Sequence, residues 1–238
     1  MPDQPDQPTG QPEYRQYKFA APPGATELLL VRHGESAPAR MDQPFPMRDG
    51  QGDPDLAPEG RREAERVGER LALERIDAVY ASSLRRTAQT AEPLCRRLGV
   101  DPTIDADLRE VHLGEWEGGL FRKLTTELHP TALKMWAEER WDVIPGAEEN
   151  EAFASRVDAA VGRLHSAHPD QRVAVFTHGG VIGAILARAT RSRPFAFIGA
   201  DNGSISQVIV TDDRWIVRRF NDTAHLEPTF TLVSEPLT

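Results

Sequence analysis

The sequence predicts an α/β three-layer sandwich, with a mostly parallel central sheet and helices on both faces. Three observations carry that prediction. Leu28-Leu29-Leu30-Val31 is an apolar run of the kind a strand buried on both faces requires, and it ends in Arg32-His33-Gly34-Glu35. Val173-Ala174-Val175-Phe176 is a second such run, ending in Thr177-His178-Gly179-Gly180. Strand-like runs alternate with segments of helical period along the chain, as crossover-connected sheets require.

Residues 1–25 are proline-rich, with Pro2, Pro5, Pro8, Pro12, Pro22 and Pro23, and have the composition of a disordered lead-in. An ordered domain is expected over 26–227, followed by a tail over 228–238. After the first strand, 37–57 is loop-like, punctuated by Pro38, Pro44, Pro46, Gly50, Gly52 and Pro54. A loop of that length (37–55 in its unusual part) often covers a functional site. Pro58 suits the first turn of a helix, where its missing N–H has no intrahelical partner, and Ala64, Val67 and Leu71 continue at helical spacing. Ile76 to Ala81 reads as a strand. Ser82 or Ser83 is expected to cap the next helix, whose apolar face is Ala88, Ala91, Leu94, Cys95 and Leu98 and which ends at Gly99. Short helices and loops are expected over 110–150, which holds Trp116, Trp136 and Trp141. A helix is expected over Glu149–His165, through Phe153, Val157, Val161 and Leu164. Another runs from about Val181 to Ala189. Ile205–Val210 and Trp215–Phe220 look like a final antiparallel pair.

Composition narrows the function classes. The formal net charge is −9 with no long basic run, so nucleic acid and anionic membrane are poor partners. No apolar stretch reaches membrane-spanning length, and the first residues lack the apolar core of a secretory signal. The lone Cys95 excludes an internal disulfide and a cysteine-rich zinc site. A cytoplasmic monomer or homodimer acting on a small molecule is the expectation.

Ligands of such sheets sit beyond the carboxyl ends of the strands, so His33 and His178 fall where a ligand would be and are expected to face each other. Arg85 and Arg86 occupy the first turn of a predicted helix. Positive charge is unfavourable there by about 0.3–1 kcal/mol per exposed residue, and a bound anion reverses the sign. Arg32 is a third candidate for the same pocket. Phosphate is the natural guest, since guanidinium forks match its oxygens and helix N-termini supply N–H donors. One histidine can attack phosphorus, while the other, protonated, stabilises equatorial charge. A general acid must serve the leaving alkoxide; Glu110, Glu115 and Glu117 are candidates, and spacing alone does not choose among them.

These residues, in this order, resemble the histidine phosphatase superfamily, the phosphoglycerate mutase-like family. Its motifs stand here as Arg32-His33-Gly34-Glu35, Ser82-Ser83-Leu84-Arg85-Arg86-Thr87-Ala88-Gln89-Thr90, Leu108-Arg109-Glu110 with Gly114 and Gly118, Pro145-Gly146-Ala147-Glu148, Thr177-His178-Gly179-Gly180 and Asn202-Gly203-Ser204. The resemblance spans roughly 27–226. It implies a phosphoglycerate mutase-like fold, His33 as nucleophile, and a phosphate pocket of Arg32, Arg86 and His178. It further implies Glu110 as proton donor and later water activator, with no metal and no cofactor. Gly179 and Ser36 are expected as further substrate contacts, and a small-molecule phosphate ester as the substrate. Arg85 is expected to be solvated or on the substrate side, Glu115 and Glu117 to be solvated loop acids, and Cys95 to be inert core.

The chain departs from the family at Ser36, where threonine is usual, and at Pro38-Ala39, where Trp-Asn is usual. It departs again at Leu56-Ala57-Pro58-Glu59-Gly60, which lacks the threonine N-cap. Mutases of the family carry a longer, more basic insertion between the histidines. Residues 119–141 offer only Arg122, Lys123, Lys134 and Arg140. Hydrolysis is therefore favoured over phosphoglycerate mutase activity, over a non-catalytic phospho-ligand module, and over a metal hydrolase built on His33, His178 and Glu110. Since His33 must be neutral while Glu110 holds a proton, a bell-shaped or acid-shifted pH profile is expected.

Overall fold

The computed structural model describes residues 14–227. The chain runs through β1 (Thr26–Arg32), β2 (Met47–Arg48), β3 (Gln51–Gly52), α1 (Pro58–Leu71), β4 (Ala78–Ala81), α2 (Arg85–Leu98) and β5 (Thr103–Ile104). Two 3₁₀ turns, Ala106–Leu108 and Gly114–Trp116, precede α3 (Leu120–Thr126) and α4 (Pro130–Glu138). Then come α5 (Asn150–Ala167), β6 (Arg172–Thr177), α6 (Gly179–Thr190), β7 (Ile205–Val210) and β8 (Trp215–Asp222).

Six strands form one sheet in the order β5-β4-β6-β1-β7-β8. The first four are mutually parallel; β7 and β8 are antiparallel. The two apolar runs lie side by side at its centre. Alternate residues serve opposite layers, which explains why neither run alternates with polar residues. Leu29, Val31, Ala174 and Phe176 pack with Val67 and Leu71 of α1 and with Ala91 and Leu94 of α2. Leu28, Leu30, Val173 and Val175 pack with Val157 and Val161 of α5 and with Ile182 and Ile185 of α6. Parallel pairing sets Arg32 opposite Thr177. The next residue of each strand is a histidine, so register alone delivers both to the same point on the carboxyl edge.

Several boundaries differ from the sequence reading. The strand expected over Ile76–Ala81 starts at Ala78, and α6 starts at Gly179, because His178 itself is the N-cap. Neither Ser82 nor Ser83 caps α2: its N-cap is Leu84, without a side-chain bond. Asp53, from the 37–57 loop, performs that task in trans, its Oδ1 accepting from Arg85 N at 2.6 Å. Its carboxylate thereby faces the positive end of the helix. The loop itself contains the β2–β3 hairpin. Ala57, where threonine is usual, caps α1 without a side-chain bond. Cys95 is buried on the α2 face as expected.

Of the proline-rich lead-in, 14–25 forms no helix or strand but is tethered. Gly24 N donates to Asp170 Oδ1 at 2.6 Å, and Arg218 lies 4.1 Å from the Phe19 ring centroid. The expectations for 1–13 and 228–238 lie outside the described residues.

Gly34 and Gly60 let the strand-end segment and the start of α1 touch backbone to backbone. A Cβ on Gly60 would sit 2.0 Å from Glu35 O, and one on Gly34 would sit 2.4 Å from Gly60 O. Neither neighbour is a flexible side chain. Gly60→Ala is expected to cost about 1–3 kcal/mol or more through overpacking. For a domain of this size that lowers the melting temperature by at least about 2–4 °C, measurable by calorimetry.

Candidate active site

His33 is 6% exposed, and its partners determine its tautomer. Nδ1 lies 2.8 Å from Gly34 O, which can only accept, so Nδ1 carries the proton. Nε2 lies 3.2 Å from Arg86 Nε, which can only donate, so Nε2 carries the lone pair. Asn202 Nδ2 donates to His33 O at 2.8 Å, and His33 N donates to Thr177 O at 3.0 Å, so the backbone is held as well.

His178 is fully buried, with its ring centroid 5.1 Å from that of His33. A hydroxyl chain fixes its polarity. Thr87 Oγ1 gives its single proton to Leu84 O at 2.7 Å, so it accepts from Ser82 Oγ at 2.9 Å. Ser82 Oγ has then spent its proton and accepts from His178 Nε2 at 2.8 Å. Nδ1 of His178 is buried and makes no hydrogen bond. Ser82, read from sequence as a helix cap, instead orients the second histidine.

Arg86 is 9% exposed and also donates from Nη1 to Gly52 O at 2.9 Å. Arg32 donates from Nη1 to Ala200 O, while its Nε is buried without a partner. Burial lowers both guanidinium pKa values, that of Arg86 to about 10, with Glu110 opposing the shift; both remain charged at neutral pH. Burial, followed by the charge of Arg86, holds His33 and His178 well below the ordinary histidine range. Burial first, and then the neighbouring Arg86, disfavours the charged form of the second histidine.

Glu110 is seated on the start of α6. Its Oε2 accepts from Gly180 N at 3.0 Å and its Oε1 from Val111 N at 2.9 Å. A Cβ on Gly180 would lie 2.3 Å from Glu110 Oε1, so this seat requires glycine. Gln51 Nε2 (2.7 Å) and Arg156 Nη2 (2.9 Å) both donate to Glu110 O. Arg156 also spans Asp107 O and Arg109 O and pairs with both oxygens of Glu148. Burial works to raise the Glu148 carboxyl, yet the bonds from Arg156 hold it below the usual carboxylate range.

The remaining predicted residues divide. Gly179 lies against Arg32; a Cβ there would be 3.6 Å from Arg32 Nε. Ser36 is buried, and its Oγ is taken by Arg122 Nη2 at 2.6 Å, so its direct structural partner is a cation of the cleft wall. Arg85 is 40% exposed and paired with Asp55 at 3.2 Å, away from the cup. Glu117 is not a solvated acid: it accepts from Gly52 N at 2.7 Å and from Leu113 N at 2.9 Å. The residues that sequence reasoning missed are Gln51, Asp53, Arg122 and Arg156. All act on backbone groups or on side chains distant in sequence, and none carries a local signature.

Arg32, His33, Arg86, Glu110 and Gly179 open onto one cleft of about 1180 Å³, walled on one side by the 37–57 loop. Among the described residues, no group of three or more His, Cys, Asp or Glu is placed to hold a metal ion, and no helix is long and apolar enough to cross a membrane.

Comparison with known proteins gives the chain a family. Residues 28–223 match the histidine phosphatase superfamily (branch 1). The chain is 36% identical over 212 residues to phosphoglycerate mutase-like protein 4 of Arabidopsis thaliana, covering 85% of this chain and 88% of that protein. It is 34% identical over 208 residues to the metal-independent phosphoserine phosphatase of the same plant, covering 84% and 83%. The solved mycobacterial glucosyl-3-phosphoglycerate phosphatase superposes with a TM-score of 0.70 at 27% identity, covering 84% of this chain and all of that one. The chain therefore belongs to the histidine phosphatase superfamily. Its activity is that of a phosphatase of this histidine type.

Two measurements probe the site's construction. Ser82→Ala leaves the buried Nε2–H of His178 without an acceptor and is expected to cost about 1–3 kcal/mol in thermal or denaturant unfolding. The second concerns pH. The fold holds both rings neutral, so below about pH 6.5 the unfolded chain takes up protons that the folded chain refuses. Stability from this source is complete above that value and is lost as pH falls. The melting temperature is expected to drop between pH 7 and pH 5, and less steeply in His178→Asn.

Proposed function

We propose that this phosphatase hydrolyses a small-molecule phosphate monoester through a phosphohistidine on His33, with Glu110 moving the protons. The observation that carries the reading is the directed lone pair of His33 Nε2, presented to the buried guanidinium of Arg86. In the first step that lone pair forms the N–P bond and the ester P–O bond breaks. The departing oxygen takes its electron pair and a proton from Glu110. In the second step Glu110, now a carboxylate, takes a proton from water. The water oxygen bonds to phosphorus, and the P–N electrons return to His33.

Arg86 exchanges its bond to Nε2 for bonds to the phosphoryl oxygens, and Arg32 contributes its unpartnered Nε–H. An entering dianion favours protonation of His178, turning its bare Nδ1 into a donor. Because Ser82 accepts at Nε2, the added proton can only go to Nδ1. The relatives' names support a small phosphate ester as substrate: one is a phosphoserine phosphatase, another a glucosyl-3-phosphoglycerate phosphatase.

His33→Ala is expected to abolish hydrolysis of an aryl phosphate. Wild-type enzyme quenched in alkali with labelled substrate should carry the label on His33; wild-type turnover by the variant would remove the proposed nucleophile. Glu110→Gln is expected to lower kcat by about 10²–10⁴ on an alkyl ester, and by far less on an aryl ester whose leaving group needs no proton. The depressed His33 pKa implies that kcat/KM does not fall on acidification through the ordinary histidine range. An acid limb centred near about pH 6.5 would contradict the assigned environment.

A further inference from the structure

Beyond the phosphate cup, the cleft is chemically two-sided. One wall is aromatic. The Phe121 ring lies 6.2 Å from Trp141, Trp141 lies 4.8 Å from Phe195, and Phe195 lies 5.7 Å from Trp136, all centroid to centroid, so these rings form one packed cluster, largely buried at Trp141. Phe45 extends it from the loop side, beneath Arg122 at 5.2 Å. Phe45, Phe121, Trp136 and Trp141 all border the cleft. The charged lining beyond the cup is mostly acidic: Glu35, Glu59, Glu63, Asp201 and Glu227 border the cleft with Arg62 and Arg66, and Asp201 and Glu63 also act on Arg32 of the cup. Arg62 is already paired with Glu59.

A substrate with a second anionic group needs a cation with free donors beyond the cup. Lys123 is paired with Glu127. Arg122 has Nη1 on Ala37 O at 2.9 Å and Nη2 on Ser36 Oγ at 2.6 Å. Its field falls on His33 and Arg32, so it belongs with the cup. The charge that remains outside the cup is net negative, which opposes a leaving group bearing a carboxylate.

Resting on the phosphatase reading above, we infer that the preferred leaving group is an uncharged alcohol with a ring or bulky apolar body, seated on the wall formed by Phe45, Phe121, Trp136 and Trp141, and that esters with a second anion are selected against. Flat apolar surface suits such a group, and each fitted apolar increment is worth about tenfold or more in kcat/KM.

The test compares kcat/KM for benzyl phosphate, 3-phosphoglycerate and phosphoserine at one pH and ionic strength. All three release alkyl alkoxides, so the comparison reports on the wall rather than on leaving-group acidity. Benzyl phosphate is expected to lead each acidic ester by about tenfold or more. Trp136→Ala is expected to shrink that lead chiefly by raising KM for benzyl phosphate. Phe45→Ala, in the loop rather than the core, gives the same readout if the tryptophan variant fails to fold. Equal or faster turnover of either acidic ester overturns the inference, as does an unchanged ratio in both variants. Failure to hydrolyse any of the three brings down the phosphatase mechanism on which it rests.

Discussion

The hydrogen bond from Arg86 Nε to His33 Nε2 is the contact on which the site depends. It places a buried cation against the lone pair of His33. Charges of this kind cost several kcal/mol to desolvate unless paired. Here two guanidinium groups share the cup beside Glu110. The ligand-free protein therefore carries an unbalanced positive site, and an entering dianion supplies what the fold withholds. Burial, and after it the charge of Arg86, disfavours protonation of both imidazoles, and Arg32 Nε stands without a partner.

Holding that imbalance in place takes several elements at once. The sheet register brings the histidines together. The loop over 37–57 does more than cover the cleft. Asp53 caps the helix that carries Arg86, Gly52 O takes one of the guanidinium donors, and Gln51 pins the backbone of Glu110. One segment thus indexes Arg86 and Glu110 to each other. Arg156 secures the far side of the Glu110 segment from α5, using donors that lie outside the reacting groups.

What was legible in the sequence had a local cause. Two-sided burial leaves a continuous apolar run, so β1 and β6 were visible, and with them the positions of His33 and His178. A helix start with paired arginines announced an anion, although only the family motif separated Arg86 from Arg85. Ser82 was misread because a serine ahead of a helix usually caps it; here tertiary contact with His178 claims the hydroxyl, and Asp53 caps from a distance. Gln51, Arg122 and Arg156 were invisible because each bonds mainly to partners far away in the chain, many of them main-chain carbonyls that exist at every residue. Glu117 looked solvated until the loop folded over it.

Phe45 and the α3 neighbour Arg122 aside, the aromatic wall and the centre of the cup draw on different stretches of chain. Phe121 and Trp136 sit on α3 and α4, and Trp141 follows α4, whereas the reacting groups hang from the ends of β1 and β6, from the start of α2 and from the Glu110 segment. Heritable variation can therefore accumulate in one without eroding the other. The choice of molecule can then change at the wall while the cup stays as it is.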